Sequence, residues 1–145
     1  MKVRYKAFFE VRSDLNCLEE VLSQFDKMRQ NWIDQRDWLE CQLALAEGFT
    51  NAVKHAHKDK PADTPIEIEI DLNQEEITIS IWDCGSPFDL KSIRIRQESE
   101  EEWRDSGRGI EILKKIADDL SYERLPDSRN RLKIRKKLST VDSSP

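Results

Sequence analysis

Two runs of alternating aliphatic residues, Ile66-Glu67-Ile68-Glu69-Ile70-Asp71-Leu72 and Ile77-Thr78-Ile79-Ser80-Ile81, stand only a few residues apart. A period of two turns one face of each run toward a core and the other toward water. The connection, Asn73-Gln74-Glu75-Glu76, is too short for the crossover that parallel strands require, so the pair is predicted to form an antiparallel hairpin. A sheet with one apolar face must be covered, and the remaining segments are read as its cover and its neighbours.

Val3, Tyr5, Ala7, Phe9 and Val11 alternate in the same way and predict a further strand. From Ser13 or Asp14, which can cap a helix, Leu15, Leu18, Val21, Leu22, Phe25, Met28 and Trp32 recur at helical spacing and predict a helix over 14–32. Trp38, Leu39, Leu43, Leu45, Ala46, Phe49, Ala52, Val53 and Ala56 predict a second, from about Arg36 to about His57. Ile110, Leu113, Ile116 and Leu120 predict a third, opened by Gly107-Arg108-Gly109. Two short strands, about Leu120 to Leu125 and Leu132 to Leu138, close a domain over 1–138, with 139–145 as a solvated tail. Cys84 to Ser106 shows no sustained period and reads as a long loop. This order is not the alternation of a doubly wound sheet. The expected fold is α+β, a two-layer sandwich with helices on one face of a mixed, mostly antiparallel sheet.

The 145 residues suffice for one compact domain. A net charge of -5 argues against direct nucleic-acid binding, although a nucleotide needs only a local site. The basic run Arg131-Leu132-Lys133-Ile134-Arg135-Lys136-Lys137 alternates as a strand with a solvated face. No apolar run approaches the roughly 20 residues of a membrane span, and a cytoplasmic location is expected. Cys17, Cys41 and Cys84 form no C-x-x-C and read as reduced thiols.

Three short motifs could carry chemistry. Glu47, Asn51 and His55 recur every four residues, which places them on one side of a helix. Taken alone, such a triplet is more often a solvated edge. Asp83-Cys84-Gly85 follows a predicted strand, where Asp and Gly favour a turn but could also seat a purine. Gly107-Arg108-Gly109-Ile110 opens a helix whose free N–H groups and dipole favour phosphate, while an ordinary flexible helix start would also use those glycines. The Walker pattern and the dinucleotide G-x-G-x-x-G are both absent from the sequence.

Taken in order, E-x-x-x-N-x-x-x-H, D-x-G, a long loop and G-x-G resemble the N box, G1 box, lid and G2 box of the GHKL ATPases. Ala46-Glu47-Gly48-Phe49-Thr50-Asn51-Ala52-Val53-Lys54-His55, the D-x-G-x-P-F-D string at 83–89 and Gly107-Arg108-Gly109-Ile110 followed by Asn130-Arg131-Leu132 are most similar to the anti-sigma-factor serine/threonine protein kinases of the RsbW type. The resemblance implies a Bergerat (GHKL) fold that binds ATP and Mg²⁺. It implies that Glu47 acts as general base or water-positioning group, that Asn51 meets the metal, that Asp83 reads the adenine and that Gly85 lines its pocket. Gly107, Arg108, Gly109 and Ile110 would wrap the phosphates, with Arg108 stabilising charge or lying exposed. His55 would contact nucleotide or pack inside the fold.

The implied activity is phosphorylation of an anti-anti-sigma partner of the STAS type, together with sequestration of a sigma factor, by a protein that dimerises. The alternative is a nucleotide-binding module that controls its partner by binding alone. Two departures bear on that choice. The loop Asp89 to Asp105 carries no glycine, and Lys133 stands where relatives commonly have a small hydroxyl residue beside the adenine.

Overall fold

The computed structural model describes residues 3–85 and 108–139. The expected loop from Ser86 onward, Gly107 and the tail beyond Ser139 lie outside the described residues, and Arg108 is described only in its backbone.

The hairpin forms as its alternation dictates. Strand β2 (Pro65–Asn73) pairs antiparallel with β3 (Glu76–Asp83) in a register that sets Ile68 opposite Ile81, Ile70 opposite Ile79 and Leu72 opposite Ile77. All six are buried, and a slip of one residue would turn every one of them to water. The turn is shorter than the four residues expected, because Asn73 accepts from the backbone N–H of Glu75 (2.7 Å) and Glu76 (2.9 Å), closing it over Gln74 and Glu75.

Strand β1 (Arg4–Arg12) adds to β2, while β5 (Asn130–Lys137) adds to β3 and carries β4 (Asp119–Arg124) on its far side. The order is β1-β2-β3-β5-β4, and every pairing is antiparallel. The expectation of a mixed sheet is therefore corrected among the described strands. β2–β3 and β4–β5 are hairpins and β2 runs opposite to β1, whereas β4 runs in the same direction as β3, with β5 set antiparallel between them.

One face of this sheet, carried by Ile66, Ile68, Ile70, Leu72, Ile77, Ile79, Ile81, Leu132 and Ile134, is the floor of the core. Helices α1 (Leu18–Asp26), α2 (Gln35–Asn51) and α3 (Arg108–Ile116) cover it. Helix α1 is much shorter than the predicted 14–32. Asp14 caps a separate tight turn, Leu15–Cys17, and the helix stops at Asp26, after which Met28 N–H bonds back to Phe25 C=O. Met28 and Ile33 are still buried, so their apolar spacing came from a chain folded back on the core. Phe25 and Trp38 stack at 4.1 Å, and the Trp38 indole N–H donates to Asp26, locking α1 against α2.

Helix α2 begins where Asp34 accepts from the Arg36 N–H. Its α-helical hydrogen bonding ends at Asn51. A wider turn, Ala52–Ala56, continues it and is closed by a five-residue bond from His57 N–H to Ala52 C=O.

The opposite sheet face holds crossed charges. Arg4 pairs with Asp71, Lys6 with Glu69, Arg131 with Glu123, and Arg135 with Glu76 and Asp119. Phe8 lies tilted against Trp82 at a centroid distance of 6.1 Å, and Arg129 stands over the Trp82 ring while pairing with Glu67.

Candidate nucleotide site

Helix α2 is the spine on which the three sequence motifs meet. It approaches the sheet closely because Gly48 has no side chain: a Cβ there would lie 2.6 Å from Ile81 Cδ1 and 3.3 Å from Leu132 Cδ2. One residue earlier, Glu47 is half-buried and turned toward the start of α3. A Cβ on Gly109 would stand 2.9 Å from Glu47 Oε2, so the backbone that opens α3 rests against this carboxylate. Asn51 follows one turn later and is buried, as is Ile110 beyond Gly109.

His55 falls inside the wide turn. Glu47 and Asn51 lie one turn apart on regular α-helix, and His55 follows four residues later across the five-residue bonding of that turn.

The other end of the spine meets the strand-end turn. Gly85 packs so closely on the wide turn that a Cβ would lie 1.8 Å from the Ala56 carbonyl oxygen. Beside it, the Cys84 N–H donates to His57 Nε2 at 2.8 Å. Asp83, the last residue of β3, points into the helix layer with the same parity as Ile81 and is buried. Its Oδ1 accepts from the Gly85 N–H (2.9 Å) and from Asn130 Nδ2 (2.8 Å), and its Oδ2 accepts from the Tyr122 hydroxyl (3.2 Å). Asn130 Nδ2 also donates to Gly85 C=O, which receives a further bond from Arg124.

The motifs indicate no role for Tyr122, Arg124 or His57, nor for Asn130 within Asn130-Arg131-Leu132. Only the β3–β5 register, which sets Asp83 opposite Asn130, shows what it does. The same register corrects the expectation for Lys133. It pairs with Ser80 and is exposed on the charged face, so the residue beside Asp83 is Asn130 and not Lys133.

Burial also sets the acid–base character of the site. It raises the Tyr122 hydroxyl, helped by the charge and hydrogen bond of Asp83, so the phenol stays protonated and donates. Burial raises the Cys84 thiol too, with Asp83 adding to it, which leaves a protonated and poorly nucleophilic sulfur. His57 is lowered from its ordinary value by burial and by Lys60, against the opposing pull of Asp83. Since Nε2 accepts from Cys84, the single proton of the neutral ring is assigned to Nδ1, which is buried without a partner among the described residues.

For a base whose folded value is depressed, the unfolded chain binds more protons below the ordinary value of about 6.5. Stability is therefore complete above that pH and falls as pH drops from there toward the folded value. In His57→Gln, whose amide oxygen can still accept from Cys84, the decline of melting temperature below about pH 6.5 should be shallower than in the parent. Equal slopes would remove His57 from the acid response.

Residues 11–136, which take in both layers and all three motifs, match the family described as Histidine kinase-like ATPase domain, and the chain belongs to that family. Within it, the chain is similar to two proteins named Serine-protein kinase RsbW. One is from Staphylococcus aureus (strain MRSA252), 28% identical over 88 residues, covering 57% of this chain and 55% of the relative. The other is from Oceanobacillus iheyensis, 31% identical over 87 residues, covering 56% and 54%. The chain thus matches about half the length of these curated relatives.

Proposed function

We propose that this chain is an ATP-dependent serine/threonine protein kinase acting as an anti-sigma factor, with residues 1–138 as its catalytic domain. The observation that carries the reading is the contact between the Glu47 carboxylate and the backbone of Gly109, with Asn51 one turn further along the same helix. This arrangement sets an acid and an amide beside the start of a helix, where N–H groups favour phosphate. From Glu47 to Ala56 the helix advances roughly 13 Å. An extended nucleotide can then lie along α2 with its phosphates at Gly109 and its base at Asp83.

The donor set fits magnesium in kind, because Mg²⁺ takes oxygen ligands, few of them from protein and the rest from phosphate and water. Asn51 would hold it through its amide oxygen, and the ion would neutralise charge on the transferring phosphoryl group. Glu47 would accept the proton of the attacking serine or threonine hydroxyl as it approaches the γ-phosphate. Arg108, Gly107, Gly109 and Ile110 would enclose the phosphates, with His55 near them. The hydroxyl would come from an anti-anti-sigma protein of the STAS type. A sigma factor would be held while that protein is unavailable, by a homodimer in the cytoplasm. The names of the similar proteins support the kinase reading. Among the described residues, no helix is long and apolar enough to cross a membrane.

Thermal denaturation with Mg·ATP is the direct test. At a hundred times its dissociation constant, a ligand of the folded state adds about 2.7 kcal/mol, which for a chain of this size raises the melting temperature by several degrees. An unchanged transition at millimolar Mg·ATP would remove the nucleotide and the kinase together.

A further inference from the structure

The Asp83 carboxylate is already engaged on three sides. An ionised carboxylate has about four acceptor positions on its two oxygens. Two on Oδ1 are filled by the Gly85 N–H and Asn130 Nδ2, and one on Oδ2 by the Tyr122 hydroxyl. Among the described residues, one acceptor position is left without a donor. Neither side-chain partner can readily reverse its role. Asn130 is completely buried, its Nδ2 serves both Asp83 and Gly85 C=O, and its oxygen faces Arg124 Nη1 at 3.4 Å, so the amide orientation is fixed from both ends. Tyr122 is kept protonated by its burial and by Asp83 itself.

Resting on the reading of this site as a nucleotide pocket, we propose that Tyr122 and Asn130 are positioning residues for base selection, which fill the Asp83 carboxylate until it accepts a single further donor and so admits a 6-amino purine while refusing a 6-oxo purine. The exocyclic amine of adenine offers one N–H to the remaining position. A 6-oxo group brings lone pairs to the same place, with no hydrogen between the two oxygens, and a site built to receive a donor discriminates strongly against a ligand that lacks it. A water could rescue the 6-oxo base by donating one hydrogen to each oxygen, but the remaining position is the one that the 6-oxo oxygen itself faces at contact distance, so the water would have to sit beside it on the second position of Oδ2. The Tyr122 hydroxyl holds that position. Removing that hydroxyl frees the second position on Oδ2, and the 6-oxo base then gains a bridged contact.

ADP and IDP differ at the 6-position and the adjoining ring nitrogen, and their dissociation constants are measured by calorimetry on the full chain and on Tyr122→Phe. The parent is expected to prefer ADP strongly, and the preference should fall about tenfold in Tyr122→Phe, in line with loss of one hydrogen bond to a charged group. A purely structural role would weaken both ligands alike and leave their ratio unchanged. Asn130→Ser, which withdraws the amide donor from Asp83, is measured alongside and should lower the ratio in the same direction. It decides the matter if circular dichroism shows Tyr122→Phe unfolded. A parent that binds neither nucleotide would overturn the nucleotide reading itself. A parent that prefers ADP, with a ratio unmoved in whichever of these variants folds, would overturn the roles of Tyr122 and Asn130 and leave that reading standing.

Discussion

Glu47→Ala is expected to lower ATP-dependent phosphate transfer to a serine-bearing partner by at least about a hundredfold, within the usual contribution of a positioned general base, while ADP binding stays within a fewfold of the parent. The split follows from where the carboxylate stands. Glu47 Oε2 lies against the Gly109 backbone, the end proposed for the phosphates, and Asp83 with its partners lies at the far end of the spine, against Ala56 and His57. Loss of the acid therefore removes a proton acceptor from the reacting end and leaves the base end intact. Single-turnover transfer of labelled phosphate, set beside calorimetry with ADP, separates the two effects. Transfer at the parental rate would refute the role given to Glu47 without touching nucleotide binding.

Gly85→Ala is expected to cost about 4 kcal/mol of stability, at the upper end for a single overpacking substitution, and to lower the melting temperature by roughly 10 °C. The obstacle is backbone: the added Cβ would sit 1.8 Å from the Ala56 carbonyl oxygen and 2.5 Å from its carbon, and neither can swing aside as a side chain does. Gly48→Ala meets mainly the ends of Ile81 and Leu132, which can shift, and should cost clearly less. Equal losses in the two variants, read by thermal unfolding, would show that the Gly85 contact is not as tight as the geometry states. The glycine that the D-x-G motif presents as room for a base is thus also required by the wide turn of α2.

The parts legible in the sequence were those governed by local period. Alternating isoleucines gave the hairpin its faces, and helical spacing placed α2 and α3 to within a few residues of their ends. The errors arose where distant contacts decide. Met28 and Trp32 keep helical spacing beyond the end of α1, because a chain returning across the core can bury the same residues as a helix. The wide turn at Ala52–Ala56 has no composition that distinguishes it from α-helix, and it leads into His57, whose ring meets the Cys84 N–H. In the site, Glu47 and Gly109 were named from motifs and do meet. Asn130 and Tyr122 reach Asp83 only through the register of β5 with β3 and β4, a pairing that no window along the chain contains. Lys133 was misplaced for the same reason, since one residue of register decides which side of a strand a side chain takes.

The crossed charges on the sheet face opposite the helices change how the most basic stretch of the chain behaves. Along β5 alone, Arg131, Lys133, Arg135, Lys136 and Lys137 resemble a polycation. Glu123 and Asp119 stand beside that strand on one side and Glu76 on the other, so much of its charge is cancelled sideways. Such dipolar pairs cast short-ranged fields that ionic solution quenches within about a nanometre. Added salt should consequently alter the solubility and long-range attraction of this surface far less than a tally of its arginines and lysines would suggest.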